Sequence, residues 1–191
     1  LPARHQSEPP LTGNAGWDGG AVLAVAREMV LAALERQGPV AAWFVEDTGI
    51  PKKGRHSVGV ARQYCGVLGK QDNCQVAVSL SLATAGASVT VDYQMYLPEA
   101  WAADSKSRSK VGVPDTVQFA TKPEIALAQI RAAKQRGVPQ GIVLADAAFG
   151  SNTAFRERLN ELGLRYAVGV ISSLTVWAPG RGPRRAAGSQ G

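Results

Sequence analysis

The sequence predicts an α/β fold in which a mixed β-sheet, part antiparallel and part parallel, carries helices on its faces. Three stretches carry that prediction. "AAWFVEDTGIP" runs apolar residues straight into Glu46 and Asp47 before Gly49 and Pro51, the pattern of a strand buried on both faces. "CQVAVSLSLATAG" and "SVTVDYQMYLP" alternate apolar and polar residues on either side of Gly86, the pattern of an antiparallel hairpin. "GIVLADAAFG", "SNTAFRERLNELG" and "RYAVGV" follow as strand, helix and strand, an order that implies a parallel pair joined by a crossover.

Taken in chain order, residues 1–19 hold Pro, Gly, Asn and Ser without apolar periodicity and are expected to form a loose arm. From Gly20 to about Gln37, Val22, Leu23, Val25, Ala26, Met29, Val30, Ala33 and Leu34 make one broad helical stripe, stopped by Gly38 and Pro39. The first strand is expected over Ala41 to Asp47, which puts the acids at its mouth. In the hairpin, Val76, Val78, Leu80 and Leu82 are expected to match Val89, Val91, Tyr93, Met95 and Leu97 on one face. Pro98 opens a short helix, "PEAWAADSKSR", in the first-turn position that tolerates proline.

The surest helix is "TKPEIALAQIRAAKQRG", with Thr121 as N-cap, Pro123 and Glu124 in the first turn, basic residues near the end and Gly137 as the stop. From Thr175 onward periodicity is absent, and a disordered tail over 172–191 is expected. The organisation predicted is therefore an arm, a leading helix over 20–38, a domain over 41–171 and that tail.

At 191 residues the chain suits one domain with flanking pieces. No stretch has the apolar length of a membrane span, and "LPARHQSEPP" lacks the order of a signal peptide, so a cytoplasmic chain is expected. The net charge of +6 and pI near 9.6 favour polyanionic partners. Positive charge is clustered in "PKKGRH", "SKSRSK" and "GRGPRR"; each cluster alone fits a solvated loop, and their number points to nucleic acid. Cys65 and Cys74 lack the spacing of a zinc site and are read as small apolar residues without a disulfide.

Two segments look alike. A buried strand ends in an aspartate followed by small residues at Asp47-Thr48-Gly49 and again at Asp146-Ala147-Ala148. A carboxylate at the edge of a core is costly unless compensated, and a divalent cation shared by two of them does so; Mg2+ is the natural hard, oxygen-loving choice. The alternative is that each aspartate caps a turn or helix, Asp146 that of the helix starting near Ser151. A nucleotide-binding reading of "GVLGK" is weaker, because Gln71 stands where a phosphate loop needs Ser or Thr.

"DTGIPKKGRHSVGVARQYCGVLGKQDNCQVAVSL", with "YLPEAW", "GVP", "TKPEIAL" and "VLADAAFG", resembles the catalytic domain of bacterial insertion-sequence transposases of the DDE class, over about Val45 to Val170. The resemblance implies an RNase H-like fold: a three-stranded antiparallel part, parallel additions and flanking helices. It implies a Mg2+- or Mn2+-dependent endonuclease that cuts and joins DNA, working on transposon ends and target DNA, with a homo-oligomer on the DNA and a nucleoid-associated place in the cell. The first catalytic, metal-binding aspartate maps onto Asp47 and the second onto Asp146, with Glu46 behind them in support. Two ions about 3.5 to 4 Å apart would then straddle the scissile phosphate. Just past the first acid, Lys52, Lys53, Arg55 and His56 are candidate DNA contacts or else a solvated loop, and Arg62 is a further candidate whose alternative is a packing role.

The third acid of the family, a glutamate on a helix well beyond the second aspartate, has no counterpart: Glu157 and Glu161 come too early in the chain order. Two carboxylates hold a pair of divalent ions poorly. The expectation is a domain incomplete at its C-terminus and inactive alone. The competing expectation is a non-catalytic module that binds DNA or a full-length transposase.

Overall fold

The longest strand organises the sheet. The computed structural model describes residues 19–177 and 180–182. β1 spans Ala42–Pro51, β2 Ala61–Cys65, β3 Lys70–Ala83, β4 Ser88–Tyr96, β5 Ile142–Ala145 and β6 Tyr166–Val168. The 14-residue β3 pairs antiparallel with β1, β2 and β4, and β1 then takes β5 and β5 takes β6 as parallel neighbours. Leaving the short β2 aside, the order is β4-β3-β1-β5-β6, three antiparallel strands followed by two parallel additions. This is the mixed α/β arrangement expected of an RNase H-like fold.

Six α-helices complete it among the described residues: α1 Gly19–Glu35, α2 Glu99–Ala103, α3 Ser105–Lys110, α4 Lys122–Gln135, α5 Ala147–Gly150 and α6 Thr153–Glu161. Trp43 and Val45 of β1, Val78, Leu80 and Leu82 of β3 and Val143 of β5 bury one sheet face against Ile125, Ala126 and Ile130 of α4 and Phe155 and Leu159 of α6. Register explains the match: Trp43 lies opposite Leu82 and Val45 opposite Leu80, so period-two alternation presents one apolar surface. β3 was expected to be half-buried, yet Ala77 and Ser79 on its other face are buried too, because the strand is central and these side chains are small.

β1 does not stop at Asp47. It stays paired to β3 as far as Pro51 opposite Cys74, so Glu46 and Asp47 lie within the strand rather than at its mouth. The glycine that suggested a break serves close packing instead: a Cβ at Gly49 would lie 2.8 Å from Cys65 Sγ and 3.0 Å from Cys65 Cα. Proline is tolerated at Pro51 because it is the last residue of the strand.

The hairpin departs from simple alternation as well. A register shift between Leu80 and Ser81 places Leu82 opposite Val89 but Leu80 opposite Asp92. Val89 and Val91 pack on the core, Tyr93 is exposed, and Asp92 receives Arg27 of α1 at 3.4 Å and Arg136 at 3.7 Å. A bulge adds one residue to one strand and reverses the faces beyond it, which alternation in the sequence does not reveal.

The apolar stripe of α1 is largely not buried. Leu34 is in the core with Val30 and Leu31 beside it, while Val22, Leu23, Val25 and Met29 are exposed. The expected helix after Pro98 is two short ones, α2 and α3, with Pro98 as N-cap of α2 rather than within its first turn and Asp104 capping α3 through Ser107 N. Most of the predicted arm, residues 1–18, lies outside the described residues, as do 178–179 and 183–191 of the predicted tail; 172–177 and 180–182 form neither helix nor strand. No helix among the described residues is long and apolar enough to cross a membrane.

Candidate active site

β5 ends at Ala145, opposite Val45, and β1 runs on past it. The mismatch leaves a notch beside β1. That notch is a pocket of about 390 Å³ lined by Phe44, Val45, Glu46, Asp47, Leu144, Ala145, Asp146 and Ala167. All three acids singled out in the sequence therefore line one space, at the carboxyl end of β5 and beside the stretch of β1 that runs on past it.

Asp47 shares the core-facing side of β1 with Trp43 and Val45, and its carboxylate is the polar continuation of that row. Its Oδ2 accepts a hydrogen bond from Lys122 Nζ at 2.5 Å, with the two side chains 24% and 27% exposed. Lys122 is the first residue of α4, and its ammonium also lies 5.7 Å from the centre of the Tyr96 ring. The helix start is fixed independently by a capping box: Thr121 Oγ1 accepts from Glu124 N, and Glu124 Oε2 accepts from Thr121 N at 2.7 Å. The capping hydrogen bonds from Thr121 are also what hold the Glu124 carboxyl below its usual range.

Lys122 was not among the residues picked from the sequence. A signal was present, since a lysine in the first turn sits at the positive end of the helix dipole and has no local reason to be there.

Asp146 does two things at once. Its Oδ1 accepts from Ala148 N at 2.9 Å and Phe149 N at 3.4 Å, so it caps α5 rather than the helix after Ser151, which is capped by Asn152 through Phe155 N. Among the described residues no hydrogen bond reaches Asp146 Oδ2. The capped turn is held from below by Phe149, buried and 6.0 Å from the Phe155 ring, and by a glycine contact: a Cβ at Gly150 would lie 2.0 Å from Gly169 O. Because that obstacle is backbone, Gly150→Ala is expected to lower stability by about 3 kcal/mol, the upper part of the usual overpacking range. A shift of the urea midpoint measures it.

Glu46 points to the opposite side of β1 from Asp47 and is exposed. Among the described residues no group of three or more His, Cys, Asp or Glu could hold a metal ion. Glu157 and Glu161 ride on α6, and Glu161 is bonded to Arg158 at 2.5 Å. The donor set at the notch is thus two hard carboxylates with an ammonium on one of them. Two such carboxylates suit one divalent cation of the Mg2+ or Mn2+ kind, and the lysine shows that Asp47 already takes a cation.

The basic segment after β1 is pinned by a residue absent from the sequence expectations. Asn73 Nδ2 donates to Lys52 O at 2.8 Å and Gly54 O at 2.7 Å. Lys53, Arg55 and Arg62 with Asn73 line one pocket of about 420 Å³, and Lys52 and Lys53 with Asp72 and Asn73 a second of about 510 Å³. His56 is exposed and lines neither. "GVLGK" is a 3-10 turn between two antiparallel strands, without the following helix that a phosphate loop requires, which removes the nucleotide-binding reading. Cys65 and Cys74 are buried free thiols, and burial with the neighbouring Cys65 pushes the Cys74 thiol up to about 11.

The architecture is thus a mixed α/β sheet with one aspartate inside β1 and a second just past the adjacent parallel β5, both lining one notch. The chain belongs to the DDE superfamily endonuclease family, whose model matches residues 3–191. It is 32% identical over 158 residues to the probable transposase for insertion sequence element IS701 of Microchaete diplosiphon, covering 82% of this chain and 38% of that protein. The chain thus spans well under half the length of this relative. A solved structure, the catalytic domain of the Mos1 mariner transposase, is similar at 12% identity with a TM-score of 0.30, over 80% of this chain and 61% of that one.

Proposed function

We propose that the chain supplies part of the catalytic domain of an insertion-sequence transposase, with Asp47 and Asp146 as the metal-holding carboxylates for DNA strand cleavage and strand transfer. The observation that carries this reading is the lining of one pocket by both aspartates, from neighbouring parallel strands, in a chain of the DDE endonuclease family. When bound, Mg2+ or Mn2+ supplies activation of an attacking hydroxyl and stabilisation of the departing oxygen. The protein's own part is rigidity. β1 is clamped between β3 and β5, and Asp146 is fixed by its cap, so both carboxylates are held by elements rather than loops.

Lys53, Arg55 and Arg62 are proposed to hold the DNA backbone past the end of β1, with Lys52 and His56 on the same loop. Replacing any one of the three by alanine is expected to weaken binding to all sequences alike and to reduce the slope of log K against log salt by about one. Filter binding across a salt series reads this. Mutation of Asn73 to alanine would release the loop without removing charge.

With Glu46 on the opposite side of β1 from Asp47, only Asp47 and Asp146 are assigned to the ion, and the chain by itself is proposed to bind DNA without cutting it. The test is a supercoiled plasmid carrying the element's ends, incubated with the chain and Mg2+ or Mn2+. Binding without nicks is the expected result. Nicks that disappear in Asp47→Asn would show that two acids suffice, and absence of both binding and nicking would remove DNA as the partner.

A further inference from the structure

The ion pair at Asp47 points to a role for Lys122 that neither the family match nor the pairing of acids contains. The lysine reaches Asp47 from 75 residues away, at the start of a helix whose dipole opposes a cation there. The pair is about a quarter exposed, so water and ions can reach it, and the ammonium has a second partner in the Tyr96 ring. What Lys122 does is put a positive charge on the oxygen that a divalent ion would take.

We propose that Lys122 is a positioning residue that occupies Asp47 in the metal-free site, keeps its carboxylate aimed into the notch, and is displaced from it when a divalent cation binds. This rests on the reading of Asp47 and Asp146 as metal ligands. Lysine suits exchange because its single ammonium on a flexible stem forms no bidentate fork and can swing aside, where an arginine would clamp. The capping box at Thr121 and Glu124 keeps the backbone of α4 in place, so the exchange needs only a side-chain movement.

Titration with Mn2+, followed by loss of the free-ion electron paramagnetic resonance signal, tests it. Lys122→Gln removes the competitor and is expected to bind Mn2+ roughly three- to ten-fold more tightly than wild type, the scale of one partly exposed charge-assisted contact. Lys122→Arg, which clamps the carboxylate, is expected to bind more weakly than Lys122→Gln. Independently, acetylation of Lys122 in the wild-type chain, read by mass spectrometry, is expected to accelerate when Mg2+ is added. Unchanged or weaker Mn2+ binding in Lys122→Gln, or labelling that ignores Mg2+, overturns the proposal. If Asp47→Asn and Asp146→Asn leave Mn2+ binding intact, the metal reading itself fails, and that result is distinct from failure of Lys122 alone.

Discussion

Asp47→Asn is expected to reduce the affinity of the folded chain for Mn2+ by more than about a hundredfold, because a ligand is lost where even an outer-shell partner is worth about 10–100-fold. Asparagine keeps the shape and the carbonyl oxygen but removes the charge, and a hard divalent ion held by two carboxylates is left with one. The fold should survive. The carboxylate's protein partner is Lys122, and an ion pair about a quarter exposed contributes roughly 1 kcal/mol or less to stability, so its loss shifts the melting temperature by only a few degrees. Isothermal titration with Mn2+ beside a thermal melt separates the two effects. A variant that binds Mn2+ like wild type would remove Asp47 from the site.

Trp43→Ala is expected to be the most destabilising single change in the sheet, at about 3–5 kcal/mol. The side chain is fully buried in the main core, and its indole Nε1 donates to Pro139 O at 2.8 Å. That bond joins β1 to the segment leading into β5, so the tryptophan also sets the spacing of the two strands that carry the aspartates. Truncation leaves a cavity and an acceptor without its donor, and the melting temperature should fall by about 6–20 °C for a domain of this size. Trp43→Phe, which restores most of the volume, should recover more than half of the loss. If Trp43→Ala melts within a degree or two of wild type, the core is not organised around β1.

The hairpin, the strand-helix-strand unit and the long helix could be read from the sequence because each rests on local pattern: alternation about a glycine, an apolar run closed by Asp146, a cap followed by a helical stripe. The N-cap at Thr121 is local in the same sense, and it stands where expected. What could not be read is set by partners distant in the chain. β2 is five residues with only Cys65 buried, and it is a strand because Lys70–Cys74 of β3 is there to pair with it. The bulge that turns Tyr93 outward and gives Asp92 to Arg27 depends on how β4 meets β3. Lys122 and Asn73 gain their roles only when α4 reaches β1 and when β3 passes the basic loop. The α1 stripe shows the converse, an apolar pattern that promises burial where only its C-terminal part meets the core.

The short parallel seam between β1 and β5 has a consequence for how the molecule comes into being. Ala42 meets Ile142, so the seam closes a loop of a hundred residues for four pairs of partners, while β1 and β3 meet across a much shorter stretch. Closing so distant a contact is slow relative to hairpin formation. On the ribosome the antiparallel strands can assemble while one flank of β1, next to Asp47, is still bare, and such an unpaired margin is prone to sticking to other chains. The pocket therefore cannot close until Asp146, the strand ahead of it and Ala167 have been made, well after β1 and β3 are complete.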